Sequence, residues 1–143
     1  MADEPTFQVD VLTPEGPVFE GEVFQLSART VAGEVGVRAR HVPMLARLVP
    51  AELRLYATQA EFNADGGGTR YAAVEGWLEV FANKATVLIG EAVPPDQLDA
   101  ADQRERLRGA EQRLEEAEEG TAGYEAAERD LARAEAFLAI AER

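Results

Sequence analysis

The hydrophobic periodicity of this chain changes once, at Pro94-Pro95. On the N-terminal side short apolar runs alternate with polar residues and are separated by turn-forming Gly, Pro, Asn and Asp. On the C-terminal side β-branched residues nearly vanish, and apolar residues recur every three or four positions. A period of two lays a row of side chains on one face of a strand, whereas three-four spacing lays a stripe along one face of a helix. The break therefore predicts an antiparallel β-sandwich or barrel over residues 1–94 and an α-helical hairpin over residues 95–143. A chain of 143 residues has room for one such domain and a small appendage.

Within the first segment, Phe7-Gln8-Val9-Asp10-Val11 places Phe7, Val9 and Val11 on a buried face, and Thr13-Pro14-Glu15-Gly16-Pro17 ends the strand. Val18 to Ala28 reads as one longer extended run, closed by Val31-Ala32-Gly33. Val35 to Val37 is short and apolar, and Glu52-Leu53-Arg54-Leu55-Tyr56 alternates. Ala64-Asp65-Gly66-Gly67-Gly68 reads as a hairpin tip, since glycine reaches positive φ without a Cβ clash. Tyr71 to Val74, Trp77 to Phe81 and Thr86 to Ile89 complete the set, with Ala82-Asn83-Lys84 as a tight connection between the last two.

In the second segment Asp96 or Asp99 can cap a helix whose apolar positions are Ala100, Leu107, Ala110, Leu114 and Ala117. Gly120-Thr121-Ala122-Gly123 breaks it, and Tyr124, Ala127, Leu131, Ala134, Leu138 and Ala141 mark a second helix. Alanine facing leucine lets antiparallel helices approach closely, yet an alanine-rich seam buries little area, and short helices depend on such packing. Glu115, Glu116, Glu118 and Glu119 also crowd the negative end of the first helix dipole. The hairpin is therefore expected to be weak and able to open.

Composition removes most chemistry. With 14 Lys+Arg against 27 Asp+Glu, a net charge of −13, the chain does not read as a nucleic-acid binder. It has no cysteine, which excludes thiolate sites, and its one histidine, His41, leaves little for a His-based triad or metal site. Acid pairs such as Glu20 with Glu22 follow from acid abundance and carry no specificity for acid-base work. No metal and no cofactor are expected, and for catalysis the sequence is poor. It has no apolar run long enough to cross a bilayer, and Met1-Ala2-Asp3-Glu4-Pro5 is acidic where a signal peptide is basic, so a soluble protein kept inside the cell is expected. Against the acidic background, Arg38, Arg40, Arg47 and Arg54 lie in a stretch whose one acid is Glu52, and with Met44 they form the strongest candidate docking surface.

The order of short motifs resembles one family over nearly the whole chain. Val9-Asp10-Val11-Leu12-Thr13-Pro14-Glu15 with Val18-Phe19-Glu20-Gly21-Glu22-Val23 is similar to the opening strands of the epsilon subunit of the F-type ATP synthase, called delta in mitochondria. Gly33-Glu34-Val35-Gly36-Val37 and His41-Val42-Pro43-Met44-Leu45 resemble that family's Gly-Glu-Leu-Gly-Ile and Gly-His-Ala-Pro-Leu-Leu, with Arg40 where the second motif has its glycine. Pro50-Ala51-Glu52-Leu53-Arg54 is similar to its Pro-Gly-x-x-Arg turn. Glu75-Gly76-Trp77-Leu78-Glu79-Val80 and Asn83-Lys84-Ala85-Thr86-Val87-Leu88 are similar to its Gly-Gly-Phe-Leu-Glu-Val and Asn-x-Val-Thr-Val-Leu.

The resemblance implies a ten-stranded β-sandwich followed by two helices, in a non-catalytic subunit of the rotating central stalk. Such a subunit binds the gamma subunit and the c ring and helps couple proton flow to ATP synthesis, as a peripheral protein on the cytoplasmic face of the bacterial plasma membrane. By the same likeness Glu34, Val35 and Gly36 lie near the polar loops of the c ring, and His41 and Met44, joined by Arg38 and Arg40 of the basic patch, belong to the rotor-facing surface. The helical pair of bacterial relatives can extend into the alpha/beta catalytic head and inhibit ATP hydrolysis.

Some relatives bind ATP through Ile/Leu-Asp-x-x-Arg-Ala at the first helix. Here Leu98 and Asp99 are kept, but Asp102-Gln103 stands in place of Arg-Ala, with Arg104 and Arg106 as the nearest cations. Arg133-Ala134-Glu135-Ala136-Phe137-Leu138, with Arg129 upstream, resembles Arg-Ala-x-x-Arg-Leu of the regulatory helix, with Phe137 in place of its second arginine. From residue 97 onward 13 acids face 7 arginines, a net of −6, which predicts weak inhibition of the head. The alternative is a stand-alone sandwich with a helical interaction tail that binds a ligand on Trp77, Tyr71 and Tyr56. A nucleotide sensor and a carboxylate hydrolase are the remaining rivals.

Overall fold

The computed structural model describes residues 4–143, which form two compact units, the first ending at Ala92 and the second running Val93–Arg143. The acidic opening Met1-Ala2-Asp3 lies outside the described residues.

The first unit holds ten strands: β1 (Phe7–Thr13), β2 (Gly16–Val23), β3 (Gln25–Thr30), β4 (Gly33–Val37), β5 (Met44–Leu48), β6 (Ala51–Tyr56), β7 (Thr69–Ala73), β8 (Gly76–Phe81), β9 (Lys84–Ile89) and β10 (Ala92–Val93) at the boundary. They join in one continuous ladder in the order β10-β7-β6-β3-β5-β8-β9-β1-β2, with β4 added on β3. This ladder closes over a common core as a sandwich that is mostly antiparallel, whereas β1 runs parallel to β9, from Gln8 opposite Lys84 to Leu12 opposite Leu88. The parallel pair departs from the all-antiparallel expectation. It arises because β9 returns beside the strand that opened the chain.

Alternation does what the sequence predicts. Phe7, Val9 and Val11 are fully buried, and Leu78, Val80, Ala85, Val87 and Ile89 of the neighbouring strands β8 and β9 are buried with them. Each such side chain taken out of water contributes about 1.5–3 kcal/mol for the larger residues. Two hairpins share one turn device: the Thr13 and Thr30 hydroxyls donate to the carbonyls of Gly16 (2.9 Å) and Gly33 (2.8 Å). Those glycines sit at φ +123° and +120°, backbone that a side chain would strain.

One local reading is corrected and one element is added. The run Val18 to Ala28 is not one strand: it breaks at Phe24, whose N–H donates to the Tyr56 carbonyl, so β2 stays at the edge beside β1 while β3 enters the middle of the sheet. Gln25, Leu26, Ser27 and Ala28 are all buried, on both faces, which erases the polar alternation that would have marked a new strand. Ahead of the glycine-rich tip lies a five-residue helix, α1 (Gln59–Asn63), capped by Thr58, which accepts from the Glu61 N–H at 3.1 Å. Its Phe62 packs edge-on against Tyr56, with ring centroids 5.1 Å apart.

In the second unit a short 3-10 turn (Pro95–Gln97) leads into α2 (Ala100–Glu116), and α3 (Ala122–Ala141) returns as an antiparallel partner. Asp99 is the cap of α2, accepting from Ala101 and Asp102, and Thr121 caps α3. In these helices the expected Ala110, Ala127 and Ala134 are buried, and so are Gln103, Phe137 and Ile140, which lie outside the predicted stripes. Arg113 on α2 donates to Asp130 on α3 at 3.1 Å, and Arg104 reaches Glu142 at 3.5 Å.

Candidate docking face

On the sheet β5-β8-β9-β1-β2 the pairing register fixes which residues share the outward side. Arg47, Trp77, Leu88, Leu12 and Pro17 form one row across it; Leu45, Glu79, Thr86, Asp10 and Glu20 form the next; Phe81, Lys84, Gln8 and Glu22 form the third. A row of core residues lies on the reverse side of each strand, so these side chains have no inward alternative. Leu45 is 68% exposed, Phe81 64%, Leu88 49% and Trp77 48%, and Val42 in the preceding loop reaches 70%. Apolar side chains gathered this way, with Glu79, Lys84 and Asp10 among them, have the make-up of a protein-binding patch, an apolar centre with charged positions that set orientation.

Two shallow grooves border the patch, one lined by Pro43, Leu45, Glu79 and Phe81, the other by Leu12, Pro14, Leu88 and Gly90. Asp10 is held below the usual carboxylate value, first by the hydrogen bond from Gln8 and then by Lys84, against partial burial acting the other way. It therefore stays charged within the face at neutral pH.

The residues singled out from the sequence are distributed unevenly. Met44 lies opposite Val80 and packs against the core, so the outward position of that segment is its neighbour Leu45. Val35 likewise packs on the core, while Gly36 is exposed and a Cβ there would come within 3.1 Å of the Gln25 amide nitrogen. Glu34 is exposed and bridges Arg54 at 2.9 Å and Arg29 at 3.7 Å across β6, β3 and β4. Arg38 is exposed, but its guanidinium head lies against the rings of Phe24 (4.7 Å) and Phe62 (5.2 Å) and donates to Gln25 at 2.7 Å. Arg40 takes a left-handed φ of +59°. His41 closes the turn from Arg38, and its Nδ1–H donates to the Val42 carbonyl at 2.7 Å. Sequence reading missed Val42, Leu45, Phe81 and Leu88. The available signal was apolar residues at outward positions of strands whose inward positions were already filled.

In the helical unit, Asp99 spends its carboxylate on the first-turn N–H groups of α2, and Asp102 places a second carboxylate one turn on, paired with Arg106 at 3.0 Å. Leu98 is half-buried beside them, and Arg104 is paired with Glu142. These residues do not fit the phosphates of ATP, since the helix N-terminus already holds a carboxylate and the nearest cations are engaged. On α3, Arg133 stacks over Phe137 at 4.3 Å, and Arg129 is exposed.

The ligand-binding alternative loses its groove. Tyr56 is buried against Phe62, Tyr71 donates its hydroxyl to the Val18 carbonyl at 3.2 Å, and Trp77 stands on the outer face. No helix among the described residues is long and apolar enough to cross a membrane.

Comparison with known proteins points the same way. Solved structures with a similar fold include a chain of the Euglena gracilis mitochondrial ATP synthase (OSCP/F1/c-ring), with TM-score 0.76 and 22% identity over 96% of this chain and 83% of that one. A chain of the Tetrahymena thermophila mitochondrial ATP synthase (central stalk/c-ring) matches with TM-score 0.62 and 16% identity over 98% and 99%. In sequence, the chain is 35% identical to the ATP synthase epsilon chain of Halalkalibacterium halodurans over 97% of its own length and 99% of the relative's. It is 38% identical to that of Bacillus thuringiensis over 78% of each. Residues 6–95, which span the strand unit and its outward patch, match the family described as ATP synthase, Delta/Epsilon chain, beta-sandwich domain, and with full-length similarity to epsilon chains beyond it, the protein belongs to the ATP synthase delta/epsilon family.

Proposed function

We propose that this chain is a non-catalytic subunit of the central stalk of an F-type ATP synthase, a peripheral protein at the cytoplasmic face of the bacterial plasma membrane. In this reading residues 1–94 dock on the rotor and residues 95–143 form a regulatory hairpin. The observation that carries it is the set of outward apolar residues Leu45, Trp77, Phe81 and Leu88 on the strand unit of an epsilon-family chain. A rotor subunit works by binding: it must hold its partner without slipping while torque passes. A stiff sheet with an apolar outer face supplies that, because strand register fixes the patch and desolvation of its aromatic centre provides most of the binding free energy.

The face of β5, β8 and β9 is assigned to the gamma subunit. The β3–β4 hairpin, with Glu34 held between Arg29 and Arg54, is assigned to the polar loops of the c ring. Glu34, fixed by two guanidinium groups, is preorganised to meet polar groups, which favours orientation over raw affinity. Similarity to ATP synthase epsilon chains and to a chain of a central stalk and c-ring assembly supports a place in the rotor.

The test is to tag the chain in its host, solubilise the membranes gently and identify co-purifying subunits by mass spectrometry. Gamma, the c ring and the alpha and beta subunits are expected together. Recovery of the chain alone, under conditions that keep the synthase intact, overturns the reading.

A further inference from the structure

The segment from Arg38 to Pro43 leaves β4 and enters β5 outside any strand ladder, and its own backbone supplies one bond, from the His41 N–H to the Arg38 carbonyl at 3.2 Å. It nonetheless carries exposed Arg40 and Val42, and Pro43 lines the same groove as Leu45 and Phe81. Something outside the loop must fix its pose, since a free loop of this length samples many conformations and binding would have to order it.

Asn83, in the turn between β8 and β9, supplies that hold. Its Oδ1 accepts from the Arg40 N–H at 2.7 Å, its Nδ2 donates to the Thr6 carbonyl at 3.2 Å, and its own carbonyl accepts from the Gln8 N–H at 3.3 Å. One residue thus ties the loop and the start of β1 to the rigid β8–β9 turn, across sequence separations of 43 and 77 residues. The position needs an acceptor on one side, a donor on the other and a backbone at φ +61°, and asparagine meets all three at little conformational cost. The Arg38 side chain, lodged between Phe24 and Phe62, fixes the other end of the loop.

We propose that Asn83 is a positioning residue for rotor docking: it touches the loop and not the partner, and it presents His41 and Val42 in register with Leu45 and Phe81. This rests on the assignment of that face to the gamma subunit. The test compares full-length wild type with Asn83→Gly, which keeps the positive φ and removes both side-chain bonds, and with Asn83→Asp, which keeps the acceptor for the Arg40 N–H. Affinity for purified gamma, NMR order of the Arg40, His41 and Val42 amides, and thermal midpoint are read on each.

N83G is expected to weaken gamma binding about tenfold and lower order in those three amides, with strand amides unchanged, and N83D, which keeps the Arg40 bond but lacks the donor to the Thr6 carbonyl, is expected to restore loop order and part of the affinity. Unchanged loop order in N83G, or a loosened loop with wild-type affinity, overturns the role of Asn83 and leaves the docking face standing. So does an affinity loss that tracks the thermal midpoint and is not rescued by N83D. Failure of wild type to bind gamma overturns the docking assignment itself, and the role of Asn83 with it.

Discussion

Lys84 donates to the Asp10 carboxylate across the parallel β1–β9 pair, Nζ to Oδ2 at 3.0 Å, while the Gln8 amide donates to the other carboxylate oxygen at 2.9 Å. Both bonds favour the charged form, and they hold Asp10 below its ordinary value of 3.8. A carboxylate whose pKa falls on folding stabilises the native state above the unfolded pKa, and that contribution disappears as pH drops through the folded one. Asp10→Asn is therefore expected to be less stable than wild type at pH 7, with a difference that closes as pH falls below about 4. Urea midpoints of both proteins between pH 7 and pH 2.5 check this. A gap of constant size would show that Asp10 acts through packing and not through its charge.

Arg40 holds its backbone at φ +59°, where the resembling motif has glycine, and a Cβ in this region costs about 1–2 kcal/mol. Glycine removes that strain but gains freedom in the unfolded chain, so Arg40→Gly is expected to stabilise the first unit by a net of about 0.5–1 kcal/mol. Arg40→Ala removes the cation and keeps the strain. Stability that rises in R40G and not in R40A locates the effect in the backbone; equal changes in both would assign it to the lost charge.

Leu45 stands directly opposite Glu79, and Phe81 opposite Lys84. Leu45→Lys and Phe81→Glu accordingly create favourable cross-strand charge pairs at exposed positions, and each is expected to change stability by no more than about 0.5 kcal/mol. Each also places a charge within the apolar face and should weaken gamma binding at least about tenfold. Trp77, the one tryptophan of the chain, is half-exposed beside them, so its emission should shift to the blue when gamma binds wild type. Unaltered affinity in both variants would move the docking surface elsewhere.

The periodicity break, the alternation of β1 and a helix cap at Asp96 or Asp99 were legible, because in each case a local rule applied; that Asp99 is the one used took the structure. Phe24 and Gln25 were not: a strand buried on both faces carries no alternation, and the switch of sheet position there is decided by the Tyr56 carbonyl and by contacts far away in sequence. Helix α1 was hidden for another reason, since five residues are too few for a period and its hold comes from Phe62 on Tyr56. For the docking face, charge pattern drew attention to the arginines, while the face itself is made of outward apolar residues. Met44 and Leu45 are adjacent and similar, and only the register opposite Val80 and Glu79 tells which one points in.

Gln103 is buried in α2 with its Oε1 unpartnered, whereas Phe137 on α3 is fully buried. An unsatisfied buried acceptor costs about 1–3 kcal/mol, so Gln103→Met, which keeps shape and removes the polar atom, is expected to slow amide exchange along α2 and α3. Phe137→Ala should do the reverse, with a loss of about 3–5 kcal/mol, enough to melt the hairpin while the strand unit stays protected. Exchange that slows in neither helix in Q103M would indicate that water already satisfies this oxygen.

The charge of the hairpin decides how it can act on the catalytic head. Residues 97–143 carry 13 acids and 7 arginines. Of these arginines, Arg104, Arg106, Arg108 and Arg113 are already paired with carboxylates of the hairpin, and Arg133 is stacked on Phe137. An extended hairpin would have to break those pairs to offer its cations, and it would bring a surplus of negative charge to the head wherever it touched. Steady-state hydrolysis of the assembled synthase lacking residues 97–143 is therefore expected to stay within about twofold of the intact enzyme. A several-fold rise would mean that the hairpin does inhibit and that its negative surplus does not decide how it acts on the head.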